Sequence, residues 1–183
     1  MFNFLTQKWE EILDFFKKEF EFRGKHARMA GELWIQNDYG RTYFHRLIDL
    51  YITAAVIGFR GDRKAKADYA PNESKSIFPE QMIGAKEDLD FIMQMIMILE
   101  NSGKMAPEES VKKAFRGVET QEEFEYYRDL FHSYVRGGVE ELYERLILRS
   151  PELDEGVYDG KTANVMALLE RFGDFSGVSP ASC

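Results

Sequence analysis

The sequence predicts an all-α fold: a single-domain bundle of about six to seven helices over residues 1–183, with two central buried helices. Three observations carry this expectation. Apolar residues recur at intervals of three and four through most of the chain, the period of a helix with one buried face. Hydrophobic residues make up 44% and aromatic residues 14%, with 15 Phe and 9 Tyr, enough apolar surface to offset the entropy of ordering a chain. At 183 residues the length suits one domain with a proper core and is short for two.

Trp9, Ile12, Leu13, Phe16 and Phe20 stand at helical spacing, predicting an amphipathic helix that ends near Arg23-Gly24. A second helix is expected over 25–36, with Met29, Ala30, Leu33 and Trp34 as its apolar stripe, closed by the turn chemistry of Asn37-Asp38-Tyr39-Gly40. Residues 41–59 carry Phe44, Leu47, Ile48, Tyr51 and Ala55 in phase, with Leu50, Ile52, Val56 and Ile57 on the other faces, and so predict a helix buried nearly all round. Residues 60–76 form the longest polar stretch and are expected to be a mobile basic loop. From Pro79 the phase Met82, Ala85, Leu89, Ile92, Ile96, Leu99 predicts one second central helix to about residue 100.

Pro107-Glu108-Glu109 opens a short helix closed by Gly117, with acid at its positive end. Thr120 and Glu123 make a capping box for a long helix holding Phe124, Tyr127, Phe131, Val135, Leu142 and Leu146 on one face. Gly137-Gly138 inside it predicts a kink or a break, since each glycine costs about 1 kcal/mol relative to alanine. An acidic linker over 150–161 leads to a last short helix with Val165, Leu168, Leu169 and Phe172.

The single cysteine, Cys183, excludes an intrachain disulfide and a cysteine zinc site and fits a reducing compartment. The start lacks the basic and apolar regions of a secretory signal, and the most apolar stretches, 47–59 and 89–99, fall short of the ~20 residues needed to cross a bilayer. A cytoplasmic protein with no membrane association is expected. Net charge is −8, against indiscriminate nucleic-acid coating. The charge is unevenly divided, +2 over residues 1–75 and −10 over 76–183, and nine basic residues face four acidic ones between Arg23 and Lys66.

Phosphate-cradling glycine loops, dinucleotide fingerprints, nucleophile elbows and zinc-protease motifs are all absent. With only His26, His45 and His132, neither a metal site nor a cofactor is expected, and a carboxylate-bridged two-metal bundle lacks its second Glu-x-x-His. Two helices each carry Arg-x-x-x-His, Arg41 with His45 and Arg128 with His132. That spacing puts a permanent cation and a proton-transfer group on one face, a kit suited to RNA cleavage. The pattern resembles the all-helical HEPN ribonucleases, whose active helix carries Arg followed by His after four to six residues; here the gap is three. The resemblance covers a single helix and implies a metal-independent ribonuclease using Arg41, His45, Arg128 and His132.

The bland reading, ordinary ion pairing on helix surfaces, outweighs that one. Without it no catalytic residue is assigned. The basic residues Arg60, Arg63, Lys64 and Lys66, together with Arg41 and Arg46, are the candidate contacts to phosphate or another anionic surface. The leading expectation is a non-enzymatic helical subunit or adaptor of a larger intracellular assembly, with a protein partner and a nucleic-acid contact as its candidate interactions. The oligomeric state cannot be read from the sequence.

Overall fold

The computed structural model describes residues 14–34, 43–70, 73–148 and 160–173. Among these residues the fold is mostly helical, seven α-helices accompanied by one two-stranded sheet. No helix among them is long and apolar enough to cross a membrane.

The first described element is a strand, β1, Phe20–Arg23, where the sequence suggests the end of an amphipathic helix. Phe16 and Phe20 satisfy a helical interval, but Phe20 and Phe22 are both buried with half-buried Glu21 between them, which is the period of two that defines a strand. Trp9, Ile12 and Leu13 lie outside the described residues. Helix α1, Gly24–Leu33, follows directly and buries Ala27, Ala30 and Leu33.

Helix α2, Leu47–Arg60, begins later than the expected residue 41. Tyr43 and Phe44 donate their backbone N–H groups to the Leu33 carbonyl (3.2 and 3.3 Å), so residues 43–46 lie against the end of α1 and Arg46 is extended. Strand β2, Ser74–Ile77, pairs antiparallel with β1, Phe20 opposite Ile77 and Arg23 opposite Ser74.

The expected helix over 79–100 is divided into α3, Pro79–Gly84, and α4, Lys86–Glu100. Gly84 weakens the continuation, and Lys86 forms ion pairs with Asp14 (3.0 Å) and Asp90 (2.8 Å). Helix α5, Pro107–Arg116, ends at Gly117 with φ 87°. Helix α6, Gln121–Tyr143, continues into one π turn, Glu144–Leu148. The Leu146 carbonyl in that turn accepts from Tyr43 Oη (2.8 Å) and Asn164 Nδ2 (3.2 Å), so this acceptor is satisfied from outside the helix. Helix α7, Gly160–Gly173, completes the described chain. Nearly all of the acidic linker before it lies outside the described residues.

The Thr120 hydroxyl caps α6 by accepting the Glu123 N–H (3.2 Å), and the Glu123 carboxylate accepts the Glu119 N–H (3.2 Å). Removing one such cap costs about 1 kcal/mol. Thr120→Ala is therefore expected to lower the urea midpoint with an unchanged slope, and no shift would show the cap to be redundant.

Helix α6 does not break at Gly137-Gly138. These glycines stand where two backbones meet. A Cβ on Gly138 would strike the Ala54 carbonyl of α2, and a Cβ on Gly58 would strike the Tyr134 carbonyl of α6. The propensity lost is exchanged for an intimate crossing, which makes α2 and α6 the central pair. Around it lies a core that includes Phe16, Phe22, Leu47, Tyr51, Leu89, Ile92, Ile96, Phe131 and Leu142. Each buried side chain of this size contributes about 1.5–3 kcal/mol relative to exposure.

The segment after α2 departs from the expected mobile loop. The Ala65 N–H donates to the Ser133 carbonyl (2.9 Å), Arg136 Nε donates to the Ala65 carbonyl (2.9 Å), and Asp68 accepts the Lys25 N–H (2.8 Å). Residues 63–68 are thereby laid along α6, and the rest of the stretch ends in β2.

Candidate functional site

Residues Arg128, His132, Arg136 and Glu140 of α6 are spaced by four and therefore share one helical face, which Glu144 continues at the start of the π turn. A cleft of about 660 Å³ opens along the first part of that face. Its floor holds Arg128 and Arg136, its walls are residues 19–23 and 67–69, and His26 of α1 closes one end. The strand places Phe20 and Phe22 inward, which brings this wall against His132.

The two arginines are in different states. Arg128 gives Nε and Nη2 to Asp129 (3.2 and 3.1 Å) and lies over the Phe124 ring (5.8 Å), leaving Nη1 uncommitted among the described residues. Arg136 is half-buried and has no carboxylate partner among the described residues; its Nε is bound to the Ala65 carbonyl and its two Nη groups have no partner there. Burial pulls Arg136 below the usual arginine value, against the weaker pull of Tyr69, Asp129 and Tyr51. A guanidinium taken partly out of water without a counter-ion is unfavourable by itself.

His132 lies between them with its ring against Phe20 (centroids 4.6 Å), Tyr51 (6.3 Å) and Phe131 (6.2 Å). Burial, and then the Arg136 and Arg128 charges, push it down to about 3, so its imidazole is neutral at pH 7. Beneath it the Tyr51 hydroxyl is fully buried without a hydrogen-bond partner and held well above the ordinary tyrosine value by burial.

His26, 1% exposed, sets its Nε2 3.0 Å from Glu140 Oε1, while its Nδ1 is buried and unpartnered. Burial outweighs the pull of Glu140 and lowers His26, so a neutral ring donating Nε2–H to the carboxylate fits the contact. Burial alone would raise Glu140, yet Lys25 (2.8 Å) and His26 hold it below the usual carboxylate value.

The residues singled out in the sequence fall in different places. Arg128 lines the cleft, whereas His132, one turn further along the same face, packs behind Phe20 and does not line it. Arg41 lies outside the described residues. His45 is exposed and precedes α2, with its carbonyl accepting from Trp34 Nε1 (3.1 Å), and it does not line the cleft.

Arg63 is committed to Glu141 (2.7 Å), Glu144 (2.5 Å) and Glu140 (3.4 Å), and its value rises, chiefly through Glu144. Lys64 faces Asp62 (3.8 Å) and Glu100 (3.9 Å) and lies over the Tyr134 ring (4.8 Å). Arg46 is bound to Asp49 (2.5 and 2.9 Å). Arg60 and Lys66 are exposed. The basic loop thus spends much of its charge inside the molecule.

Sequence reading missed Arg136, Tyr51 and His26 as site residues, whereas Tyr69 is legible beside the basic loop as a ring available to stack on a ligand. The signal for Arg136 was present, one further step of four beyond His132. Among the described residues no group of three or more His, Cys, Asp or Glu is placed to hold a metal ion. No known protein family, curated protein or solved structure matches this chain.

Proposed function

We propose that the chain is a non-enzymatic helical binding module, a subunit or adaptor of a larger intracellular assembly, that takes an anionic group in the cleft between β1 and α6. The observation that supports this reading is Arg136: a half-buried guanidinium without a carboxylate among the described residues, its Nη groups uncommitted and Arg128 two turns away on the same face. An anion at that point supplies the missing counter-charge and accepts the bidentate bonds for which arginine is suited. The basic loop adds little to this site, since Arg63, Lys64 and Arg46 already have acidic partners.

Titration with inorganic phosphate tests the reading. Phosphate should raise the thermal midpoint of the full chain, because a ligand that binds only the folded state stabilises it. Arg136→Met should weaken phosphate binding at least tenfold while leaving the ligand-free protein as stable or more so, since it removes a cation without a partner. An equal phosphate effect in both proteins would sink the proposal.

The ribonuclease alternative rests on Arg128, which lines the cleft, with His132, which lies behind Phe20. Labelled RNA incubated in chelator discriminates: cleavage that vanishes in both His132→Gln and Arg128→Gln would replace binding by catalysis, and intact RNA favours the binding module.

A further inference from the structure

We infer that the anion taken by this cleft is the phosphate of a mononucleotide-sized ligand, whose base lies on Tyr69 and whose sugar hydroxyls meet Glu19. The inference rests on the anion-binding reading above and adds the ligand class.

Three features of the cleft carry it. The first is the cationic floor. Arg128 and Arg136 lie eight residues apart, about 12 Å along the helix axis, and both line the cleft, so a doubly charged group held by Arg136 also lies in the field of Arg128. A phosphate monoester has that charge and three acceptor oxygens. Arg136 offers two free Nη groups and Arg128 offers Nη1, among the described residues, and the neutral imidazole between them adds no competing charge.

The second feature is the aromatic wall. Tyr69 lines the cleft with 75% of its surface exposed, on a backbone fixed by its neighbour Asp68, whose carboxylate accepts the Lys25 and Ala70 N–H groups (2.8 and 3.0 Å). Such a ring is a stacking platform for a nucleobase. The third feature is the acidic rim. Asp68 is spent on the backbone and Glu21 is bound to Arg23 (2.5 Å), but Glu19 is exposed and carries no ion pair among the described residues. A free carboxylate beside a phosphate site suits the hydroxyls of a ribose, which donate to it.

The same rim argues against a polynucleotide. A strand running through the cleft would bring successive phosphates past Glu19, whose free carboxylate would repel them. The volume, about 660 Å³, falls in the range of pockets that enclose a single small ligand.

Equilibrium titration of the full chain with the four common nucleoside 5′-monophosphates, ribose 5-phosphate, inorganic phosphate and a single-stranded decanucleotide tests the inference. At least one mononucleotide should bind tenfold or more tightly than ribose 5-phosphate. Tyr69→Ala, at a position exposed enough not to threaten folding, should remove that advantage while leaving inorganic phosphate unaffected. Glu19→Gln should weaken the mononucleotide and ribose 5-phosphate alike.

Mononucleotides no tighter than ribose 5-phosphate, with phosphate binding still lost in Arg136→Met, would overturn the ligand class and leave the anion site standing. A decanucleotide that binds more tightly than any mononucleotide would overturn it too. Absence of binding by every probe, phosphate included, would remove both readings.

Discussion

Gly58→Ala and Gly138→Ala are each expected to destabilise the protein by about 3 kcal/mol, the upper part of the range for overpacking a core. The sign is opposite to what helix propensity predicts, because alanine in mid-helix is ordinarily favoured by about 1 kcal/mol. Here the added methyl meets main-chain atoms. At Gly138 it strikes the Ala54 carbonyl and at Gly58 the Tyr134 carbonyl, and neither can swing aside as a side chain would. Relief requires α2 and α6 to separate, which loosens the packing of Tyr51, Phe131 and Leu142 between them. Gly84 supplies the control, since a Cβ there meets nothing within 4 Å, and Gly84→Ala should be neutral or slightly stabilising. Urea denaturation of the three variants checks the set. Three equal effects would mean that the crossing has room to relax.

The second large effect is a loss of stability in mild acid. His132 has a folded value of about 3 against 6.5 unfolded, so the unfolded chain takes up the proton first. The stabilisation is complete above pH 6.5 and is lost as the pH falls toward 3. At about 1.4 kcal/mol per pH unit inside that window, a drop from pH 7.5 to pH 5 removes about 2 kcal/mol. His26, also lowered, acts in the same direction.

The carboxylates held below their usual values, Glu140, Glu141 and Asp14, stay ionised at pH 5 and add their losses only in stronger acid. Chemical denaturation at the two pH values, repeated on His132→Gln, measures the effect. The variant should retain only the smaller dependence due to His26. An undiminished dependence in the variant would place the titrating group elsewhere.

The legible parts of the fold were those with long, single-phase periodicity. Helices α5 and α6, the Thr120 cap and the burial of Leu47, Tyr51, Ile92 and Phe131 follow from local pattern alone. Two misreadings have physical causes. Phe16 and Phe20 fit a helix as well as a turn followed by a strand, and only the pairing of β1 with β2 resolves the ambiguity. Gly137-Gly138 resembles a helix breaker because local sequence records the propensity penalty and not the partner backbone that offsets it.

The site was half legible for the same reason. Arg128 and His132 share a face by spacing, but that Arg136 lacks an acidic partner among the described residues while Arg63 has three is a tertiary fact. The carboxylates around Arg63 are 77 to 81 residues away in sequence, so a cluster that reads as exposed positive charge is largely neutralised on folding.

The β1–β2 ribbon has a kinetic consequence. It holds four residue pairs and brings Phe20 beside Ile77, closing a long loop for few contacts, whereas helices form from neighbours along the chain. Loop closure of this kind carries its entropic cost before its contacts return anything, so the ribbon is expected to assemble late in folding, after which Phe22 and Ile77, 1% and 0% exposed, tie it to the core. Because β1 lines the cleft, the cleft is complete only once this late pairing has joined the central pair of α2 and α6.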